Sequence, residues 1–196
     1  MKHKKSADTK IHILSVGYQL ISKNGFTCTG LAQLLKEANI PKGSFYHYFS
    51  SKEEFGKSLI EYYFKKYKEN LSKIEVQDLS AKEKIIHYFT SWKNNQAIEN
   101  NTNRCLVVKL SAEISDLSET MRTALYLGYQ EIIQWITNRI KEAQESGDIS
   151  TNIDAYKMAC HWYYAWLGAG IIAKLSNSNH PLEDIWHETI HPLITQ

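Results

Sequence analysis

Two short helical signals and the start of a longer one fall within residues 25–55, separated by residues that turn the chain sharply. Gly25 stands just past the first apolar-periodic stretch, as Gly commonly does after a helix. Asn39-Ile40-Pro41 separates the second stretch from the third. Asn tolerates left-handed backbone and Pro suits the first position of a helix, so these residues predict a tight corner. Ser51-Lys52-Glu53-Glu54 has the spacing of a capping box and predicts a fourth helix. The third stretch, Lys42-Gly43-Ser44-Phe45-Tyr46-His47-Tyr48-Phe49, places Phe45 and Phe49 on one face and leaves Lys42, Ser44, Tyr46 and His47 on the other. Such an exposed face suits contact with nucleic acid.

The remaining chain is also helical in period. Upstream, Ile11, Leu14, Tyr18 and Ile21 predict a helix face, with Asp8 or Thr9 as its cap. Thr29 is the expected cap of the second helix, whose inner side is Leu31, Leu34, Leu35 and Ala38. The fourth helix should run to about residue 73 with Phe55, Leu59, Tyr62 and Tyr63 inward. Further helices are expected at about 81–95, 103–115, 118–145, 153–175 and 182–194, broken by an Asn-rich stretch, by Ser146-Gly147-Asp148 and by the turn cluster before Pro181. No alternating strand pattern is present, so the fold class is all-α with about nine helices.

Charge divides along the chain. Residues 1–70 hold 12 Lys and Arg against 6 Asp and Glu, whereas residues 71–196 hold 11 against 15. A basic head on an acidic body fits a polyanion-binding module joined to one with another task. Lys2, Lys4, Lys5 and Lys10 suggest a basic arm. The longest near-apolar run, 162–173, falls short of the roughly 20 residues that span a bilayer, and the N-terminus carries no apolar signal, so no membrane partner and a cytoplasmic location are expected. Cys28, Cys105 and Cys160 lack CxxC spacing and predict unbridged thiols.

The pattern Gly25-Phe26, Thr29, Ala38, residues 42–49 and Ser51-Lys52-Glu53 resembles the TetR family of bacterial one-component repressors. The turn carries Asn39 where Gly is usual, Pro41 where Ser is common and Gly30 where Ser is frequent. A second block runs from Arg104-Cys105 through Lys109, Glu113, Asp116 and Glu119 to Arg122. With Trp166-Leu167-Gly168 and Ala173-Lys174-Leu175-Ser176, it is similar to the N-ethylmaleimide-responsive, electrophile-sensing branch. The resemblance implies a helix–turn–helix DNA-binding domain over 1–52 and a regulatory and dimerisation domain over 53–196. It also implies a homodimer, a near-palindromic duplex operator, no cofactor and no enzymatic activity.

Carried over by position, the DNA contacts would be Thr29, Lys42, Gly43, Ser44, Tyr46, His47, Tyr48 and Lys52. Hydroxyls near helix N-termini and lysine ammonium groups suit phosphate, and Gly43 allows close approach. Cys105 is expected in the first turn of a helix, capped by Asn103, where the helix N-terminus, Arg104 and Lys109 would favour the reactive thiolate. In the similar branch a cysteine here senses electrophiles or oxidants, with a lysine at the place of Lys174 as its partner. Cys28 and Cys160 read as packing residues.

Two other readings compete. Tyr88, Trp92, Tyr126, Trp135, Tyr163 and Trp166 recur at helical spacing and could line a pocket for a reversible apolar or aromatic inducer, although such a stripe more often forms core. His187-Glu188-Thr189-Ile190-His191 matches the HExxH metallopeptidase motif. Pro192 ends that helix, and His180 or Glu183 could supply a third ligand only by chance geometry, so no metal is expected. Residues 161–174, rich in Trp, Ala and Gly, are expected with Ile185, Trp186 and Ile190 to form the dimer's helix bundle.

Overall fold

The computed structural model describes residues 2–97 and 105–195, with side chains from Asp8 onward. Among the described residues there are ten helices and no strand. They are α1 (Lys2–Asn24), α2 (Leu31–Glu37), α3 (Lys42–Tyr48), α4 (Lys52–Glu75), α5 (Ala81–Gln96), α6 (Leu106–Ile114), α7 (Glu119–Glu145), α8 (Ala155–Ser176), α9 (His180–Thr189) and α10 (His191–Thr195). No described helix is long and apolar enough to cross a membrane. The expected last helix is two, because Pro192 removes an amide and α9 closes at Ile190.

The predicted corners carry the special backbone. Gly25 and Gly147 have φ of 92° and 82°, and Asn39 and Asn177 both have φ of 50°. Other starts and faces differ from expectation. The first helix begins at Lys2, so neither Asp8 nor Thr9 caps it, and Lys2, Lys4 and Lys5 of the expected basic arm lie on helical backbone. Its buried face is Ile13, Leu14, Gly17 and Ile21, while Ile11 is exposed. Ser80, not foreseen as a start signal, forms a full capping box with Glu83.

The chain packs as two compact units, Met1–Lys66 with Cys105–Gly128, and Tyr67–Arg104 with Tyr129–Gln196. The first, the head unit, thus includes α6 and the beginning of α7. Its core is Phe26, Leu34, Phe45, Phe49, Phe55, Leu59, Ile60, Leu110 and Met121. Gly128 meets the Phe64 ring, whose nearest atom lies 2.1 Å from where a Cβ would stand. Polar ties add to this packing. Ser118, whose hydroxyl caps the start of α7, donates to Glu53 Oε1 at 2.5 Å, and Thr120 donates to the same oxygen at 3.1 Å. Glu113 of α6 accepts from the backbone N–H of Phe26 at 3.1 Å and of Thr27 at 2.5 Å.

The second unit is built on aromatic residues. Phe89 and Trp92 of α5 pack on Trp166 of α8, with centroids 5.1 and 5.5 Å apart. Trp166 Nε1 donates to Thr189 Oγ1 at 3.0 Å. Glu75 accepts from Trp135, from Arg139 at 2.5 Å and from Lys84 at 3.4 Å, joining the end of α4 to α5 and α7. Of the residues expected in the dimer bundle, Trp166, Gly170, Ala173 and Ile190 are buried within their own unit, whereas Ala165 and Gly168 are exposed. The reason is that α8 is apolar on more than one side, so its period does not say which face meets which neighbour.

Two outcomes follow for stability. Gly128→Ala should lower stability by about 1–3 kcal/mol, because the added methyl overlaps a packed ring, and urea titration would measure the loss. Burial pushes the Glu113 carboxyl up, but the Thr27 and Phe26 donors and then Lys109 outweigh it and hold it below the usual range. The Ser118 hydroxyl, then that of Thr120, does the same for Glu53. A depressed carboxyl contributes stability above its unfolded value and loses it as pH falls through the folded one. Glu113→Gln should therefore weaken the protein at neutral pH and reduce the acid slope of stability below the ordinary carboxylate range.

Candidate nucleic-acid interface and thiol site

At seven residues, α3 is too short to be stable alone. Phe45 and Phe49 hold it down: Phe45 lies 5.2 Å from Phe49 and 5.5 Å from Phe55 between ring centroids, and Phe49 lies 5.2 Å from Phe55. Asn39 in left-handed backbone turns the chain from α2, and Pro41 is the N-cap of α3, one place earlier than expected. The opposite side presents Lys42, Gly43, Tyr46 and His47 to solvent, with Ser44 and Tyr48 half-buried. A Cβ on Gly43 would meet nothing within 4 Å, so its backbone lies on an open side. Lys42 Nζ sits 5.9 Å from the Tyr46 centroid, and the His47 and Tyr48 rings meet edge to face at 4.8 Å.

Two more cations belong to this surface. Lys52 Nζ lies 4.8 Å over Phe26, and Lys10 Nζ lies 5.4 Å over Phe49. Lys10, expected in the basic arm, is therefore a helix residue placed by an aromatic ring. Thr29 departs from expectation. The N-cap of α2 is Gly30, and Thr29 is buried with its hydroxyl donated to Gly25 O at 2.6 Å. A phosphate oxygen needs a donor, and that proton is already committed to the turn.

Cys105 is itself the N-cap of α6 and is 4 % exposed. The expected cap Asn103 and the neighbouring Arg104 lie outside the described residues. Tyr63 donates its hydroxyl to Cys105 Sγ at 3.6 Å, and Tyr18 stacks on Tyr63 with centroids 6.0 Å apart. Burial raises the Tyr18 hydroxyl above the usual phenol range against a hydrogen bond to Ser22, and the Cys105 charge adds to the rise. Lys109 Nζ donates instead to Lys23 O at 3.3 Å. A helix N-terminus and a phenol donor favour thiolate, whereas burial opposes it. Tyr18 and Tyr63 read in sequence as plain core, since only the fold brings them to the thiol. Lys174 is exposed in the last turn of α8 and belongs to the other compact unit. Cys160 is buried as expected, but Cys28 is exposed and is not a packing residue.

Of the aromatic stripe, Tyr88, Trp92, Tyr163 and Trp166 are buried, Trp135 is half-buried against Tyr88 at 5.2 Å, and Tyr126 is exposed. Tyr88 with Trp135, and Trp92 with Trp166, thus fill one another's space as core. His187 and His191 are exposed with ring centroids 5.3 Å apart, and α9 ends between them. Among the described residues, no three His, Cys, Asp or Glu are grouped to hold a metal ion.

Residues 13–59 match the family model of bacterial regulatory proteins of the tetR family, and residues 81–189 match that of the tetracyclin repressor-like C-terminal domain. The chain belongs to the TetR family. It is 38% identical over 178 residues to the HTH-type transcriptional repressor NemR of Escherichia coli, covering 90% of this chain and 89% of that one. It is 32% identical over 172 residues to the transcriptional regulator AcuR of Cereibacter sphaeroides, covering 87% and 78%. The reduced form of E. coli NemR superposes with a TM-score of 0.87 at 37% identity, over 93% of this chain and 95% of that structure. These families and relatives are transcriptional regulators and not enzymes, so the HExxH match is incidental.

For a TetR-type head carrying its cations on this face, Lys42→Ala should weaken binding to all DNA sequences alike. It should also flatten the slope of log K against log salt by about 0.9. Anisotropy titrations at several salt concentrations would read both effects.

Proposed function

We propose that this TetR-family repressor binds a near-palindromic operator as a homodimer and releases it when an electrophile or oxidant modifies Cys105. The observation that carries the reading is the place of the thiol. Cys105 caps α6 beside the Tyr63 hydroxyl, inside the same compact unit as the helix–turn–helix. With an unsaturated carbonyl electrophile, Sγ bonds to the β-carbon, the alkene pair moves to the α-carbon, and that carbon takes a proton from solvent. The added group cannot fit a site that is 4 % exposed unless the start of α6 moves. Support also comes from the similarity to NemR, whose solved structure is described as a reduced form. Lys174 enters as a partner of Cys105 through the sequence resemblance alone.

The DNA contacts in this reading are Lys42, Gly43, Ser44, Tyr46, His47, Tyr48 and Lys52, with Lys10 added and Thr29 holding the turn. Two copies of α3 would enter successive major grooves about 34–36 Å apart, which sets the half-site spacing. The homodimer would cover the apolar side of α8 left in solvent, where Tyr164, Ile171, Ile172 and Leu175 are exposed, Leu175 by 80%. A repressor that reads DNA and titrates a thiol belongs in the reducing cytoplasm.

A Cys28→Ser background removes the exposed competing thiol. In it, Cys105→Ser should bind operator as before and lose release by N-ethylmaleimide, whereas Cys28→Ser alone should release and gain the adduct mass on Cys105. Normal release by the Cys105→Ser protein would defeat the thiol assignment. Release without added mass would favour a reversible apolar inducer.

A further inference from the structure

One tie in the head unit joins the thiol-bearing helix to the turn that orients α2 and α3. Glu113 lies about two turns along α6 from Cys105. Its two carboxylate oxygens accept from consecutive backbone amides, Phe26 N–H at 3.1 Å and Thr27 N–H at 2.5 Å, just past the end of α1. One turn back on α6, Lys109 Nζ donates to the Lys23 carbonyl at 3.3 Å. An anion thus takes the orphan amides of the turn, and a cation takes a carbonyl at the negative end of α1. The fit is specific. A Cβ on Gly25 would stand 2.8 Å from Glu113 Oε2, and Gly25 has φ of 92°, so the carboxylate occupies space that only glycine leaves open there.

We propose that Glu113 is the positioning residue through which α6 holds the α1–α2 turn, and with it α3, in the operator-binding arrangement. In this structure the grip is closed, with both amide hydrogen bonds made. Assigning that state as the DNA-binding one rests on the function proposed above. A group added at Sγ displaces the N-terminal end of α6. A helix of nine residues moves as a rod, and a shift of about 1.5 Å at its far end takes both hydrogen bonds beyond useful length. The turn then loses its partner and α3 its register.

The test uses full-length protein in the Cys28→Ser background, with operator affinity measured for the parent, Glu113→Gln and Glu113→Ala. Affinity should fall in that order, by about tenfold or more for Ala, because Gln keeps one acceptor and Ala keeps none. Circular dichroism checks the helical content of each, and Glu113→Gln decides the order if the Ala variant does not fold. The second measurement is the rate at which N-ethylmaleimide modifies Cys105, without DNA and with saturating operator. Operator stabilises the closed grip, in which the thiol is buried, so it should slow alkylation of the parent, and Glu113→Ala should lose that protection. A residue that merely stiffens the head would lower affinity and leave protection at saturation intact; that result overturns the proposal. So does parent-like affinity in both variants. If alkylation of parent Cys105 neither releases operator nor is slowed by it, the sensor reading fails, and the grip stands or falls on the affinity order alone.

Discussion

A helix of seven residues forms too few backbone hydrogen bonds to repay the cost of starting it, so α3 exists only because Phe45 within it and Phe49 at its C-cap are already committed elsewhere. Phe45 and Phe49 meet Phe55 at centroid distances of 5.2–5.5 Å, and through it the long α4. Every polar group on the outer side of α3 owes its direction to that contact. The same packing aims cations from other helices: Lys10 and Lys52 rest on Phe49 and Phe26, so their charges stand over rings of the core and do not sweep freely. Charge at the surface is thus positioned by aromatic burial beneath it.

Local chemistry was the readable part of the sequence. Gly25, Asn39, Gly147 and Asn177 turn the chain where their residue types say they should, and the amphipathic period marks nearly every helix. Reading failed where several local solutions are equivalent. Ile11 and Ile13 compete for the buried side of α1, and the fold chose Ile13. Helix α8 has too much apolar surface to betray its inner face. Thr29 looked like a cap, but its neighbour Gly30 took that place and left the hydroxyl to close the turn from inside.

Long-range partnership was invisible for a different reason. Glu113 and Thr27 are separated by 86 positions, and Tyr63 and Cys105 by 42. Neither pair leaves a periodic trace. The sequence suggests a short DNA-binding domain followed by one long regulatory domain, whereas the compact head unit also includes residues 105–128. The cysteine singled out for its neighbours in sequence therefore shares a core with the helices that present the DNA-binding face. The coupling proposed between them needs no path through the rest of the molecule.

The burial of Cys105 also bears on timing. In the function proposed above, a thiol that is 4 % exposed would react in brief local openings, not in the resting fold. With scarce electrophile, such openings equilibrate many times before a reaction succeeds, and the rate follows concentration. With abundant electrophile every opening is captured, and the rate reaches a ceiling set by the protein's own motion. A sensor of the proposed kind would report dose faithfully at the low end and become a clock at the high end.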